Sequence, residues 1–497
     1  MLDWENDPYL KNFDLKISRA PAEVKGRLLP CPEPTFANGK VTARDASQGR
    51  WRIDGKKFAA TNPQPLKSWA VCVIGDKGPP NMDPAKKFFN EFGRIYATQH
   101  GGNIIAKEPA FVAGNLAKGG EMITEVWNAG GNKFQMKPQI LFFVVNDKNS
   151  DTYLRIKKSC ECRYGVVSQV LQAQHVFKMS PQYISNVCMK VNAKLGGYTC
   201  KAVGQVLPKI APDHMKRPTM IIGADVSHAA PGAIDAASMA AITMTINKEC
   251  TRYAAQCDTN GARVEMITTT NINNLCGRLF KMWQQMVGNG NLPERVYYIR
   301  DGVSEGQYQQ VLESEVRDMK ELFRTLNPKA NVKFTVVIAS KRHHVRFFPG
   351  QGVGDRNGNP MPGTLVETGC THPFEFDFYL CAHSAIKGTA RPIHYHVLLN
   401  ETGMGAEELE QMIFEHSFQY MRSTTPVSLH PAVYYAHLAS NRAKAHENKQ
   451  AVSSGKKETE KKQTGTGTNS SDKTPTEVAP LLEMANQLGI NASMWYI

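Results

Sequence analysis

Two carboxylates carry the first chemical signal in this sequence. The apolar run Met220-Ile-Ile222 stops at Gly223-Ala-Asp225, and Arg295-Val-Tyr-Tyr-Ile-Arg300 stops at Asp301-Gly302. Such runs read as buried strands, each delivering one Asp at its C-terminal end. Side by side at one sheet edge, two carboxylates repel unless a cation lies between them. Hard oxygen donors select magnesium or manganese, and a pair of such ions suits hydrolysis of a phosphodiester. Asp-Gly is also a turn signal, so either Asp taken alone reads first as structural. The strand and helix patterns that fill the interval between them favour the paired reading.

A second signal is cationic. Ser180-Pro181 opens a helix that runs to Leu195 and is closed by Gly196-Gly197, with Ser as N-cap and Pro in the first turn. Lys190 and Lys194 are four apart and share one face. An anion between them would be stabilising; a solvated lysine face is the plainer alternative. Lys341-Arg-His-His-Val-Arg346 follows an apolar strand and offers donors suited to phosphates. Pro431 to Glu447 reads as a helix on which His437 and Arg442 lie five residues apart, roughly 140° around the axis. One helix could therefore serve a metal site and a separate anion site.

These groups need elements to position them. The chain has 497 residues, which predicts more than one domain. Residues 1–65, rich in Pro, Gly and charge, read as a linker, 66–215 as one α/β domain and 216–497 as a second. In the first, Trp69–Ile74 and Ile140–Val145 read as buried strands, Pro84–Tyr96 as a helix capped by Asp83, and Gly165–Ala173 as the start of another helix. Alternation of this kind implies a parallel sheet. Pro208–Pro218 reads as a connecting segment. In the second domain, strands at Ser238–Ile246 and Cys250–Asp258 follow the Asp225 strand. A helix with Leu275, Leu279, Met282 and Met286 precedes the Asp301 strand, and a helix from Tyr308 to Phe323 precedes the strand Val332–Ala339. Three strands, helix, strand, helix, strand is the ribonuclease H order. Phe374–Tyr379 and His394-Tyr-His396 read as strand residues, mostly core. Residues 450–475 read as a disordered insertion, Glu477–Leu488 as a final helix, and Met494–Ile497 as an apolar terminus tucked into the fold.

Composition narrows the partners. With 59 Lys+Arg against 45 Asp+Glu the formal charge is +14, which favours a polyanion, most often nucleic acid. The 11 Cys lie at scattered spacings without a zinc pattern and read as reduced thiols of a cytoplasmic or nuclear protein. No apolar run is long enough to span a membrane. The opening Met-Leu-Asp-Trp-Glu lacks a signal-peptide pattern and starts outside any domain pattern, which predicts a piece of a longer protein.

The longest motifs carry a family resemblance. Ile222-Gly-Ala-Asp-Val-Ser-His228, Tyr298-Ile-Arg-Asp-Gly-Val-Ser-Glu-Gly-Gln307, Lys341-Arg-His-His344, Thr371-His-Pro-Phe-Glu-Phe-Asp-Phe-Tyr-Leu380 and Tyr434-Tyr-Ala-His-Leu438 resemble the PIWI domain of an Argonaute protein. Asn186 to Gly197 extends the resemblance into a MID domain, and Asp7 to Phe13 is similar to the linker after a PAZ domain. The branch it resembles is the eukaryotic one, with a fungal RNA-silencing protein as the expected kind. The resemblance implies a Rossmann-like MID domain and a ribonuclease H-like PIWI domain. It implies that Asp225, Asp301 and His437 hold two Mg²⁺ (or Mn²⁺) ions and that Glu265 orients the attacking water. A guide RNA would be anchored by its 5′ phosphate on Tyr153, Lys157, Gln169, Lys190, Lys194 and Arg442, with Tyr153 stacked on the first base. Lys341, Arg342, Arg346, Arg422, Ser428 and Tyr434 would hold the guide backbone while the PIWI domain cleaves the paired target RNA. The alternative is a guide-binding silencing module that does not cut. Without a PAZ domain the chain is expected to bind 5′-phosphorylated RNA and to cut poorly. Tryptophan-rich silencing proteins are the protein partners that the resemblance implies.

Overall fold

The computed structural model describes residues 4–75, 78–207, 217–229, 236–448, 478–485 and 487–497. The expected insertion at 450–475 and most of the connecting segment at 208–218 lie outside the described residues.

A four-stranded, wholly parallel sheet forms the first layer, built from β1 (Trp69–Gly75), β2 (Ala110–Asn115), β3 (Ile140–Val145) and β4 (Val167–Gln172) in the order β2-β1-β3-β4. β3 is an unbroken apolar run, buried along its length, as a parallel strand covered on both faces requires. α1 (Asp83–Thr98) covers one face with Phe88, Phe89 and Phe92, and Phe89 meets Phe142 edge to face at 5.0 Å. α2 (Gly120–Phe134), α3 (Ser150–Lys158) and α4 (Pro181–Lys194) complete the layers.

Three details differ from the sequence reading here. Asp83, read as the cap of α1, is its first residue, and the N-cap position is Met82 with no side-chain hydrogen bond. Residues 167–172 form a strand where a helix was expected. Gly165, at φ +60°, ends the preceding helical segment, and Val166, Val167 and Val170 favour the pleated surface beside β3; a helix resumes only at Ala173–Lys178. At α4, Ser180 takes the extended N-cap conformation, yet its side chain makes no capping hydrogen bond.

The second unit is a mixed nine-stranded sheet. Its principal strands are β5 (Thr219–Ser227), β6 (Ala237–Thr245), β7 (Tyr253–Ala262), β8 (Arg295–Arg300), β9 (Lys333–Ser340), β10 (Thr364–Val366), β11 (Asp377–Cys381) and β12 (Ile393–Asn400). They run in the order β10-β11-β12-β9-β8-β5-β6-β7, with Arg27–Leu28 added at the β10 edge. β5, β8 and β9 are parallel and the remaining pairs antiparallel. α5 (Gly277–Met286) and α6 (Arg317–Leu326) bury Leu279, Phe280, Trp283, Met319 and Phe323 on one face. α7 (Pro431–Ala443) lies on the other. A Cβ at Gly223 would come within 2.3 Å of the Ala432 backbone, so glycine at this point of β5 lets the helix approach its strand.

Residues 29–58 are stitched in rather than loose. Glu33–Phe36 pairs with Lys201–Val203, and Phe36, Val41, Trp51, Ile53 and Phe58 are buried. The expected final helix shrinks to Gln487–Ile490. The backbone ahead of it is extended because its N–H groups dock elsewhere: Leu481 on Asp258, Leu482 on the His446 carbonyl and Ala485 on the Glu161 carbonyl. Strand structure also starts later than the Phe374–Tyr379 alternation predicts, at Asp377, and Phe374 is 92% exposed. Met494 to Ile497 are buried, as expected. Among the described residues no helix is long and apolar enough to cross a membrane, and all 11 cysteines are free.

Candidate active site and anion pocket

Parallel pairing of β5 with β8 sets Arg300 beside Ala224, and the Asp301 N–H donates to the Ala224 carbonyl at 3.1 Å. Asp225 and Asp301 are therefore neighbours at one sheet edge. Asp225 is buried, and its Oδ2 accepts from Ser440 Oγ at 3.1 Å and lies 3.2 Å from His437 Nδ1. Both partners come from α7. Burial, and then the Asp225 charge, push the Asp301 carboxyl up to about 6. The hydrogen bond to Asp225 raises His437. Arg342 lies close enough for its charge to lower both Asp301 and His437.

Glu265 reaches the same edge. Its Oε2 lies 2.7 Å from His228 Nε2, and its Oε1 accepts from Arg300 Nη1 at 3.1 Å. Gly302 adopts φ +87°, and a Cβ there would stand 2.7 Å from Glu265 Oε1; the third carboxylate thus abuts the Asp301-Gly302 turn. Arg300 is fully buried and also meets Glu315 at 3.2 Å. It links the strand that carries Asp301 to the carboxylate beside it. Sequence reasoning missed His228, Arg300 and Ser440 as supports. Arg300 was the readable one, since a charge ending an otherwise apolar strand needs a buried partner.

The donor set fits divalent cations. Two carboxylates lie at adjacent strands, one held up in pKa by burial and then by its neighbour's charge, and a cation between them would relieve that repulsion. Asp225 contacts His437, and its charge reaches Asp301. The three do not close around a single point: among the described residues, the group whose ligand atoms all lie within 4.8 Å of one another is a different one, Asp377, His394 and His396.

The cationic site is a cavity of about 320 Å³ where the two units meet, lined by Tyr153, Lys157, Gln169, Lys190, Lys194 and Arg442 together with Arg422 and Tyr496. Each expected anchor residue is present. Lys157 and Lys194 both donate to the Ser168 carbonyl, at 2.7 and 3.0 Å, and Lys194 also donates to Gln169 Oε1 at 2.8 Å. Burial lowers Lys157 to about 7, with help from the Arg442 charge, and Lys190 to about 8. Lys194 is lowered too, again by burial first. Arg442 crosses from α7 to donate to Tyr153 Oη at 2.6 Å and Glu161 Oε1 at 2.7 Å. Burial raises the Glu161 carboxyl, but Arg442 and His446 overcome it and hold the group at about 2. His437 and Arg442 do face different sites, as their spacing predicts.

The residues expected along a guide backbone divide. Lys341 donates to Ser428 Oγ at 3.2 Å. Arg422 lies in the cation cavity, where its charge lowers Lys190. Arg346 donates to carbonyls of its own loop, His343 and Val345. Tyr434 packs on Tyr420 at 4.8 Å between ring centroids.

Residues 140–448 match the Piwi domain. The chain belongs to the Argonaute family. It is 34% identical over 502 residues to the Argonaute protein of Schizosaccharomyces pombe, an alignment covering 100% of this chain and 56% of that one. It superposes on the C-terminal lobe of a budding yeast Argonaute with TM-score 0.78, 25% identity and 95% coverage of both chains. The Kluyveromyces polysporus Argonaute, solved with a guide RNA, matches at TM-score 0.79 and 24% identity over 99% of this chain and 59% of that one. The chain spans about half the length of the curated relatives it matches. It corresponds to the MID–PIWI portion of a eukaryotic Argonaute, the four-stranded sheet being MID-like and the nine-stranded sheet the ribonuclease H-like PIWI fold.

Proposed function

We propose that this chain anchors the 5′ phosphate of a small guide RNA and carries the centre that, in a protein of its relatives' length, cleaves the target RNA paired to it. One observation carries the reading: three lysines and two arginines from two units converge on one cavity, although burial there disfavours the lysines' charge. A phosphate supplies the missing anion, and Tyr153 offers a face for the first base. Arg442 already donates to Tyr153 Oη, so the same cation orients the stacking ring and fills out the phosphate cradle. The guide RNA in the Kluyveromyces polysporus Argonaute supports this partner by analogy.

Asp225, Asp301 and His437 would hold divalent ions, Mg²⁺ or Mn²⁺, which when bound activate water and stabilise charge on the leaving 3′ oxygen. Within the chain, Ser440 and His437 fix the Asp225 carboxylate and Arg300 with His228 fixes Glu265. Glu265 would then orient the attacking water from beside the Asp301-Gly302 turn. The presence of that fourth group next to the pair favours cutting over guide binding alone. Lys341, with Ser428, and Arg342 are suited to the RNA backbone between the two sites.

Photocrosslinking tests the anchoring. A 5′-phosphorylated RNA with 5-iodouracil at its first nucleotide should crosslink to Tyr153, and the adduct should vanish when the phosphate is removed. An adduct elsewhere, or one indifferent to the phosphate, would contradict the proposal.

A further inference from the structure

A second set of metal-ligating side chains lies on the β11–β12 hairpin, apart from the Asp225 centre. In the antiparallel register Asp377 stands opposite His396, and His394 lies two residues earlier on the same strand, so the three share one face. They are the group whose ligand atoms all lie within 4.8 Å of one another among the described residues. His394 Nε2 lies 2.6 Å from Asp377 Oδ2, and His396 Nε2 lies 2.8 Å from Glu375 Oε2. The surroundings fix these groups as supports around a metal do. The His372 N–H donates to Asp377 Oδ1 at 2.8 Å, which orients the carboxylate and leaves Oδ2 toward the histidines. Tyr379 stacks on the His394 ring at 4.5 Å, and Tyr308 lies 5.0 Å from that of His396. Phe374 and Glu375 N–H groups donate to His372 Nδ1, shaping the loop that presents Glu375.

We propose that Asp377, His394 and His396, with Glu375 as the fourth ligand, bind a borderline transition-metal ion of the Zn²⁺ class. Two imidazoles with two carboxylates suit Zn²⁺, whereas Mg²⁺ prefers an all-oxygen shell. Around a tetrahedral ion with bonds of about 2.0–2.1 Å, donors stand roughly 3.3 Å apart. The two present pairs need open by less than about 1 Å to reach that spacing. Both imidazoles bind as neutral ligands, so any proton shared with a carboxylate leaves to solvent on binding. The bound ion would clamp the loop before β11 to the hairpin, against Tyr308, which opens the helix seven residues after Asp301.

Zn²⁺ and Co²⁺ titrations of the chain in excess Mg²⁺ test this. The chain should retain one equivalent of Zn²⁺ through desalting, gain thermal stability from it, and give the strong visible absorption of tetrahedral Co²⁺. His394→Gln/His396→Gln should weaken binding by more than the roughly 10–100-fold that loss of a supporting group costs. Asp225→Asn should leave binding intact. Glu375 is exposed, so Glu375→Gln keeps the fold and should weaken Zn²⁺ measurably. No stoichiometric Zn²⁺ in the wild type, a weak octahedral Co²⁺ spectrum, or unchanged affinity in Glu375→Gln would overturn the site.

Discussion

The two charged centres of this chain are built by opposite strategies. At the sheet edge, Asp225 and Asp301 are brought together by strand register, and burial, with like charge added, raises one carboxyl to about 6. In the cavity between the units, three lysines and two arginines are gathered, and Glu161, paired with Arg442 and His446, is an internal counter-charge. On the proposed reading, small cations would complete the carboxylate edge, where His437 is half-exposed. A terminal phosphate would complete the cavity, where Lys157 and Lys194 are buried and held on the Ser168 carbonyl. Both are cases of perturbed ionisation marking a place where a ligand of opposite charge belongs. The comparison teaches that the depth of a site follows the size and mobility of the charge it awaits.

The largest effect should come from removing charge at the open edge. In a protein extended to the length of its relatives, Asp301→Asn should lower single-turnover target cleavage by at least about 1,000-fold, the scale of losing transition-state charge stabilisation. Affinity for 5′-phosphorylated RNA should stay unchanged. Equal loss of cleavage and binding would mean that the two centres are not separate. Next comes the internal counter-charge. Glu161→Gln leaves Arg442 buried without its partner and should destabilise the chain by about 3–5 kcal/mol in denaturant unfolding. Unchanged stability would show that solvent or the carbonyls of Trp495 and Tyr496 already balance Arg442.

The smallest effect is a pH dependence confined to the cavity. Burial lowers Lys157 to about 7 and Lys190 to about 8. Both are charged below those values and neutral above them. The terminal phosphate is essentially dianionic above about pH 7, so its charge cannot mask the change. The preference for 5′-phosphorylated over 5′-hydroxyl RNA should therefore weaken several-fold as pH rises from about 7 to 9. Calorimetry in buffers of different ionisation enthalpy should show proton uptake on binding at the upper end. A preference that is flat over that range would remove the desolvated lysines from the account.

Much of this was legible in sequence because the informative residues sit on strongly patterned elements. Asp225 and Asp301 each end a buried run, and Lys190 and Lys194 share a helix face; periodicity paired the lysines, while the two aspartates were paired through the strand order and the family resemblance. The His437–Arg442 separation followed from helix geometry. What stayed hidden was held by tertiary pairing. Glu161 meets Arg442 across 281 residues, and no local pattern announces it. The 167–172 strand and the short terminal helix were misjudged for the same reason: a valine-rich run takes the state its neighbours offer, and Leu481, Leu482 and Ala485 spend their N–H groups on Asp258, His446 and Glu161 rather than on a helix. The His394 and His396 alternation was visible, but its convergence with Asp377 depends on cross-strand register.

Binding of a short RNA with and without its 5′ phosphate, to the wild type and to Lys190→Ala, tests the central claim most directly. The account predicts that removing the phosphate weakens wild-type binding by roughly 10–100-fold, as for loss of charged hydrogen bonds, and that Lys190→Ala loses most of that difference. Equal affinity in all four combinations would contradict it, leaving a basic MID–PIWI chain with no 5′-phosphate anchor in this cavity.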